Sequence, residues 1–248
     1  MKKYYKLIVF ILTLGIIFGT YKLFQKNNSK IIYIPLGDSI AEGMNAYSAV
    51  DYGYTDYISD YLKKNDRLSF YTKAFTKSGY KTKDVRNDIE SNKVIKIDGK
   101  KTYLKEILRE SDLVTLTIGA NDFLGTLNVD NIETKLLDIE NTKREADKIA
   151  LDIKDLLLLI KQYAKRQIIV TGYYNPFPRV TEYKEEIDEV IKYFDYLIED
   201  ICDELDVEYV DIFNLFDNNQ KALPNPFNIH PNKYGYEIIA KEIIKYIE

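Results

Sequence analysis

The sequence predicts an α/β fold in which helices cover both faces of a parallel β-sheet. Short apolar runs rich in β-branched residues alternate along the chain with longer stretches of helical spacing. Strands separated by helices pair in parallel through right-handed crossovers. The 248 residues, 46% of them hydrophobic, are enough for one full hydrophobic core. One domain with an N-terminal appendage is therefore expected.

Five segments are expected to be strands of this sheet. They are the apolar run that opens the stretch Ile31–Ile40, followed by Leu68–Phe75, Leu113–Ile118, Gln167–Thr171 and Val207–Val210. The run at 113–118 is continuously apolar or β-branched, as expected for a strand buried on both faces. A small hairpin is predicted over Val94–Tyr103, with its turn at Asp98-Gly99.

Helical spacing of apolar residues marks the segments between the strands. The predicted helices are Thr55–Lys64, Lys81–Glu90, a short helix that ends at Arg109, Asp138–Tyr163, Tyr183–Leu205 and Asn232–Ile247. No internal repeat or low-complexity segment interrupts this alternation, and a second globular domain is not expected.

The charge of the chain is unevenly distributed, and this limits the classes of partner. Residues 1–30 contain six lysines and no acidic residue, so the remainder holds 29 basic and 39 acidic residues, a net charge of −10. An acidic domain without a basic stripe argues against nucleic acid as a partner. A lone cysteine, Cys202, excludes an intrachain disulfide and, with one histidine, leaves little for a zinc site.

The N-terminus has the features of a membrane-targeting segment. Met1–Lys6 is basic, and the fifteen residues Leu7–Tyr21 carry no charge. This core is shorter than the roughly 20 residues that usually span a bilayer, although Leu23 and Phe24 extend it to residues 7–24. An uncleaved anchor is favoured because no clear cleavage site follows, while a cleaved signal peptide and a buried core helix stay open.

This segment determines the expected domain organisation and localisation. Residues 1–30 would form the signal anchor and a polar tether, Gln25–Lys30, and residues 31–248 the globular domain. The domain is expected outside the cytoplasm, at the cell membrane, or secreted if the segment is cleaved. Lysines flank the apolar core on both sides and do not determine its orientation.

Residues suited to catalysis follow the predicted strands directly. Gly37-Asp38-Ser39 follows the first, Ser78-Gly79 the second and Gly119-Ala120-Asn121-Asp122 the third, while His230 precedes the last helix. The carboxyl ends of parallel strands open on one edge of the sheet, so these residues are expected to converge there. Since His230 is the sole histidine, the chain offers a single possible Ser–His pair, Ser39 with His230.

Each of these signals also has an ordinary structural interpretation. Taken alone, Gly-Asp-Ser after a strand is more often a turn with a helix N-cap than a nucleophile. Asn121 or Asp122 could cap a helix, and a single glycine at position 79 indicates only a turn. The occurrence of all four signals in this order favours the catalytic interpretation.

Taken together, these motifs resemble the GDSL/SGNH hydrolase family. The family's four blocks contain a serine in Gly-Asp-Ser, a glycine, an asparagine in Gly-x-Asn-Asp and a histidine, which match Ser39, Gly79, Asn121 and His230. The resemblance covers about residues 31–248 and implies a flavodoxin-like three-layer α/β/α sandwich with five parallel strands. The absence of a Gly-x-Ser-x-Gly elbow disfavours an ordinary α/β-hydrolase.

The resemblance also implies a serine ester hydrolase without a metal or organic cofactor. Ser39 would attack the ester carbonyl after His230 removes its proton. The backbone N–H groups of Ser39 and Gly79 and the side-chain amide of Asn121 would form the oxyanion hole. Water activated through His230 would then hydrolyse the acyl-serine.

The chain departs from the family pattern at the third member of the triad. The family usually places an aspartate three residues before the histidine, where this sequence has Phe227. Asn228 is the nearest polar candidate for orienting the imidazole. A backbone carbonyl in the loop Asn225–Ile229 and the carboxylate of Asp211 are the alternatives. An amide or carbonyl in this place is expected to slow the reaction without abolishing it.

The sequence leaves the substrate open. Expected substrates are acyl esters: a lipid, a small ester or an O-acetylated glycan of the cell wall. Several aromatic residues could line a subsite or belong to the core: Tyr47, Tyr52, Tyr54, Tyr173, Tyr174 and Phe177. Two other classes of function stay open. One is a catalytically weak, membrane-tethered binding protein, and the other a phosphate- or nucleotide-binding domain, which the acidic charge and the lack of a glycine-rich phosphate loop disfavour.

Overall fold

A computed structural model provides the fold and the geometry of the site. It describes residues 30–126, 138–176, 182–217, 219–226 and 228–247. The predicted N-terminal anchor, Phe177 and Phe227 lie outside these ranges. Within them, no helix combines the length and the apolar character that crossing a bilayer requires.

Five parallel strands form the central sheet. They are β1 (Ile31–Gly37), β2 (Leu68–Tyr71), β5 (Leu113–Thr117), β6 (Gln167–Thr171) and β7 (Glu208–Val210). Their order across the sheet is β2-β1-β5-β6-β7, and every neighbouring pair is parallel. Numbered among themselves, the strands run 2-1-3-4-5, which is the flavodoxin-like order. The predicted five-stranded parallel sheet is confirmed.

Helices connect the strands and cover the sheet. They are α1 (Ser39–Glu42), α2 (Tyr54–Lys64), α3 (Thr82–Glu90), α4 (Leu104–Glu110), α5 (Ala120–Thr126), α6 (Ile139–Tyr163), α7 (Lys184–Glu204), α8 (Phe213–Asp217) and α9 (Lys233–Ile244), with a 3₁₀ turn at Gln220–Ala222. The hairpin pairs β3 (Val94–Ile97) with β4 (Lys100–Tyr103). Asp98 and Gly99 both have positive φ in its two-residue turn, as a type I′ turn requires.

The sheet has a hydrophobic core on each face. One core packs α3, α4, α6 and α7 against one face, and the other packs α2, α8 and α9 against the opposite face. Alternate residues of β1 divide between the two, because Ile34 and Leu36 enter the first core and Tyr33 enters the second. This arrangement is the three-layer α/β/α sandwich.

Most predicted elements agree with the structure to within one or two residues. The main difference is β2, which was expected to extend to Phe75 and ends at Tyr71. Beyond Tyr71 the chain leaves the sheet until Thr76 forms a single parallel bridge with Gly37, and Phe75 is buried in the first core. The apolar pattern continues past the end of the strand because the loop that follows buries Phe75, and this made the strand appear longer in the sequence.

The end of β1 approaches β5 too closely for any residue but glycine. Gly37 has a φ of +128°, and a Cβ atom built there would lie 2.0 Å from the carbonyl oxygen of Thr117. Asp38 then donates its N–H to the same oxygen at 3.0 Å. Because β1 and β5 lie on either side of the point where the strand order reverses, this contact forms the crevice in which open α/β sheets bind ligands.

Replacing Gly37 with alanine is expected to destabilise the protein severely. The substitution combines an unfavourable φ with a clash against rigid backbone, so we expect Gly37→Ala to lower the free energy of unfolding by more than about 4 kcal/mol. Gly99→Ala is the matched control, since Gly99 has a φ of +78° and open space around its Cβ position. It should cost only about 1–2 kcal/mol. Urea denaturation measures both values, and equal losses would contradict the steric explanation.

Candidate active site

Ser39 lies at the start of α1, directly after the Gly37 turn. Asp38 is the N-cap of this helix, and its carboxylate accepts the N–H of Ile40 at 2.9 Å. Burial raises the pKa of Asp38 to about 7. The motif therefore combines both interpretations of Gly-Asp-Ser, because the aspartate caps the helix and the cap presents the serine at the end of β1.

Ser39 and His230 form the Ser–His pair that the sequence allowed. The Oγ atom of Ser39 lies 2.7 Å from Nε2 of His230, although the two residues are 191 positions apart in the chain. Ser39 is only 6% exposed. His230 lies in the loop before α9, whose N-cap is Asn232.

Asn228 determines which nitrogen of His230 carries the proton. Its Oδ1 atom lies 2.9 Å from the backbone N–H of His230 and 2.6 Å from Nδ1 of the ring. A backbone N–H can only donate, so the atom that faces it must be the amide oxygen. Nδ1 therefore carries a hydrogen, and Nε2 presents its lone pair to the hydroxyl of Ser39.

A second contact holds this amide in the same orientation. The Nδ2 group of Asn228 donates to Oγ of Ser48 at 3.0 Å. Of the three candidates that the sequence offered as a partner of the imidazole, the structure places Asn228 at Nδ1. Asp211 is exposed and its carboxylate accepts the N–H of Phe213 at 2.7 Å.

The surroundings of His230 favour its neutral form. Partial burial lowers the pKa of His230 below its ordinary value of 6.5. A carboxylate at Nδ1 would have the opposite effect, but the partner here is a neutral amide. The imidazole is therefore available as a base at neutral pH and below it.

Gly79 occupies a tight turn beside the nucleophile. The turn spans Lys77 to Tyr80, whose N–H donates to the carbonyl of Lys77 at 3.1 Å, and Gly79 has a φ of +82°. The N–H of Lys77 donates to the carbonyl of Gly37 at 3.0 Å and fastens the turn to the end of β1. Among the described residues, nothing accepts the N–H of Gly79 or that of Ser39. Both groups are available to a ligand.

Asn121 joins the third loop to this turn. It lies in the first turn of α5, and its Nδ2 group donates to the carbonyl of Tyr80 at 2.9 Å. Because an amide nitrogen has two hydrogens, one remains to donate to a ligand. The structure thus brings Ser39, Asn121 and His230 together with the Gly79 turn, as the sequence predicted.

Two carboxylates form contacts that the sequence did not indicate, one within the Gly79 turn and one just beyond it. Asp122, which the sequence offered as a cap of its own helix, contacts the start of another helix. Its Oδ2 atom accepts the N–H and the hydroxyl of Thr82 at 2.9 and 3.1 Å, at the start of α3. Glu42, at the end of α1, accepts the N–H and the hydroxyl of Ser78. Nothing in the local sequence indicates these contacts, since their partners are 36 and 40 residues away.

The aromatic residues near the site divide into buried and exposed ones. Tyr54 is fully buried and shares a hydrogen bond of 2.8 Å with Thr117, so it belongs to the core. Tyr174 stacks on Phe216 and donates its hydroxyl to the carbonyl of Ile229 at 2.7 Å, which supports the loop of His230. Tyr47 is 77% exposed, on the loop whose Ser48 contacts Asn228.

The remaining aromatic residues contact other parts of the protein. Tyr173 packs on Phe194 and donates to the carbonyl of Ile118. Tyr52 donates its hydroxyl to Asp60. Within the described ranges, no three His, Cys, Asp or Glu side chains come together as ligands of a metal ion would.

The chain is similar to a sequence relative and to solved structures over most of its length. The chain is 24% identical over 229 residues to YpmR of Bacillus subtilis strain 168, which covers 90% of this chain and 84% of YpmR. It is similar to the lipase Lip_vut3 from a goat rumen metagenome, with a TM-score of 0.69 and 19% identity over 87% of this chain and 97% of Lip_vut3. The likeness to Axe2, an acetylxylan esterase of Geobacillus stearothermophilus, has a TM-score of 0.61 and 20% identity over 90% and 96% of the two chains.

The family model of the GDSL-like lipase/acylhydrolases matches residues 36–238, which include Ser39, Gly79, Asn121 and His230. This match extends over most of the chain and agrees with the fold of the solved structures. The chain belongs to the GDSL-like lipase/acylhydrolase family, a family of ester hydrolases.

Proposed function

We propose that the protein hydrolyses carboxylic esters through an acyl intermediate on Ser39, with His230 as the general base. The observation that carries this proposal is the contact of 2.7 Å between Ser39 Oγ and His230 Nε2, made by the tautomer whose Nε2 can accept a proton. Belonging to a family of ester hydrolases supports the same chemistry.

In the acylation step, Oγ of Ser39 bonds to the ester carbonyl carbon while its proton moves to Nε2 of His230. The carbonyl oxygen becomes an oxyanion, for which the N–H groups of Ser39 and Gly79 and the second amide hydrogen of Asn121 are the proposed donors. Each such donor is typically worth about 3 kcal/mol of barrier. Collapse of this intermediate expels the alcohol, which takes the proton from His230.

Deacylation repeats these steps with a water molecule as the nucleophile. His230 removes a proton from the water molecule, its oxygen bonds to the acyl carbon, and the proton returns to Oγ of Ser39 as the carboxylic acid leaves. In both steps the imidazole becomes a cation. Asn228 holds the productive tautomer, but a neutral amide stabilises that cation less than a carboxylate would.

Three classes of ester, which the sequence left open, are the candidate substrates: lipids, small esters and O-acetylated glycans. The likeness to Lip_vut3, a lipase, is consistent with a lipid substrate, and the likeness to Axe2, an acetylxylan esterase, with an O-acetylated glycan. Comparing hydrolysis of short-chain p-nitrophenyl esters, phospholipid vesicles and acetylated xylan would identify the preferred class.

We further propose that the enzyme acts outside the cytoplasm, tethered to the membrane by residues 7–24. The support is the sequence: a basic start, an uncharged core over Leu7–Tyr21 and a polar tether over Gln25–Lys30. The catalytic domain would then meet membrane lipids and wall glycans.

Removing either member of the Ser–His pair is expected to abolish hydrolysis. Ser39→Ala and His230→Ala should each lower kcat for p-nitrophenyl acetate by about 10⁴-fold or more, because nucleophile and base act as a unit. Both variants should also lose labelling by a fluorophosphonate. Ser59→Ala is the matched control, since Ser59 is a buried serine on α2. Full hydrolysis by a folded Ser39→Ala protein would refute the proposal.

The pH dependence should follow the low pKa of His230. Since the neutral imidazole is the base, activity falls as pH decreases through that pKa, and half-maximal kcat/KM should lie below pH 6.5. Asn228→Asp places a carboxylate at Nδ1, which favours the cation and raises the pKa, so the fall should move to higher pH.

NMR titration can follow this pKa directly, because the ring protons of His230 are the only histidine signals of the untagged chain. We also expect Asn228→Asp to raise the plateau kcat by up to about 10-fold, since a carboxylate stabilises the imidazolium. An unchanged histidine pKa in the Asn228→Asp variant would show that residue 228 does not contact the ring in solution.

The full-length chain is expected in the membrane fraction, where alkaline carbonate should not release it. Leu14→Arg places a charge in the centre of the apolar segment at a cost of about 3 kcal/mol, and should reduce membrane retention. Fractionation followed by an immunoblot measures both proteins. A wild-type product shortened by the apolar segment and found in the medium would instead indicate a cleaved signal peptide.

A further inference from the structure

The turn from Lys77 to Tyr80 has the geometry of a type II β-turn. The N–H of Tyr80 donates to the carbonyl of Lys77, Gly79 has a φ of +82°, and Ser78 keeps a negative φ. Positive φ at the third position alone is the mark of type II. The peptide between Ser78 and Gly79 is the centre of this turn, and it carries the N–H that the proposed oxyanion hole uses.

The turn by itself does not fix the direction of that N–H. Type I, the commonest β-turn, keeps the same closing hydrogen bond and differs from type II by a rotation of the central peptide. Glycine accepts the backbone conformation of both types. The closing hydrogen bond also leaves open where the whole turn lies relative to α1 and Ser39. The Gly79 N–H can serve Ser39 only if contacts outside the turn fix that position.

Glu42 provides such a contact. Its Oε2 atom accepts the backbone N–H of Ser78 at 2.7 Å and also the hydroxyl of Ser78. Hydrogen bonds to an ionised acceptor are stronger than those between neutral groups, and the carboxylate is half-buried here. Glu42 lies in the same single helical turn as Ser39. The carboxylate therefore joins the nucleophile's helix to the residue that precedes Gly79.

Stabilisation of α1 does not explain a glutamate at this position. The helix has only four residues, so Glu42 lies in its first and its last turn at once and the helix dipole gives a negative charge there no net preference. Within the described part of the chain it forms no ion pair with a lysine or arginine. Its two described side-chain contacts are both with Ser78.

We propose that Glu42 is a positioning residue that anchors Ser78, and with it the Gly79 turn, to the helix that carries Ser39, so that the Gly79 N–H stays directed to the acyl oxygen at Ser39. It acts through Ser78 and does not itself contact the substrate. This inference rests on the proposed function, since it assigns Gly79 a role in the transition state. It adds a residue outside the four motif blocks to the machinery of the site.

The test compares Glu42→Ala and Glu42→Gln in the full-length chain with p-nitrophenyl acetate as substrate. Glu42→Ala should lower kcat about 10-fold with KM changed less than twofold, because the oxyanion exists only in the transition state. Glu42→Gln should restore at least half of wild-type kcat. Both hydrogen bonds end on one oxygen, and the single amide oxygen of glutamine can accept both.

A matched control and a double variant separate positioning from general stability. Glu106→Ala removes an exposed carboxylate that accepts from the side chain of Asn92, at 3.2 Å, and should leave kcat unchanged. Ser78→Ala removes only the hydroxyl bond and should lower kcat less than Glu42→Ala does. In the Glu42→Ala background, Ser78→Ala should have no further effect, because its partner is already absent.

The outcomes of this test are distinguishable. An unchanged kcat in Glu42→Ala, or a glutamine variant as slow as the alanine variant, overturns the inference while leaving the proposed function intact. A loss of kcat that follows only a lower melting temperature, and disappears when the assay is cooled, overturns it as well. Absence of Ser39-dependent hydrolysis in the wild type would instead refute the proposed function.

Discussion

The close approach of β1 and β5 at Gly37 is the constraint on which the site depends. The strand order reverses between these two strands, so helices leave them toward opposite faces and a crevice opens at their carboxyl ends. At that point one carbonyl, that of Thr117, accepts the N–H of Asp38, and its distance from Gly37 excludes any side chain. Ser39 is presented at the crevice because Gly37, with a φ of +128°, lets the backbone turn at this close contact.

Hydrogen bonds join the other loops of the site to the end of β1 and to one another. The Gly79 turn begins with a backbone bond to Gly37, is contacted in its middle by Glu42, and is held at Tyr80 by Asn121. Asp122 holds the start of α3, two residues further on. Each contact links residues distant in sequence. The proposed oxyanion donors thus lie on three different segments whose relative positions are fixed by polar contacts and by the sheet below them.

The pair of Asn228 and His230 shows which part of a triad an amide can replace. Orientation and tautomer depend on a hydrogen-bond acceptor at Nδ1, and the amide oxygen supplies one at 2.6 Å. Stabilisation of the imidazolium depends on negative charge, which the amide lacks, so partial burial is free to lower the pKa of His230. The geometry of the proposed base is therefore preserved, while the stabilisation of its cation is reduced.

Periodicity in the sequence was sufficient to predict the parallel α/β fold and the longer elements, although the short helices α1, α5 and α8 were not predicted. Ser39, Gly79, Asn121 and His230 were identified as candidates from motifs that resemble those of a known family. These features depend on neighbouring residues: apolar spacing defines strands and helices, and turn residues mark their ends. The sequence could not choose between Asn228, Asp211 and a backbone carbonyl as the partner of His230, or reveal the contacts of Glu42 and Asp122. Only the tertiary structure decided them, because they join loops 36 or more residues apart or depend on the path of an irregular loop, and hydrogen bonds of that kind leave no periodic signal in the chain.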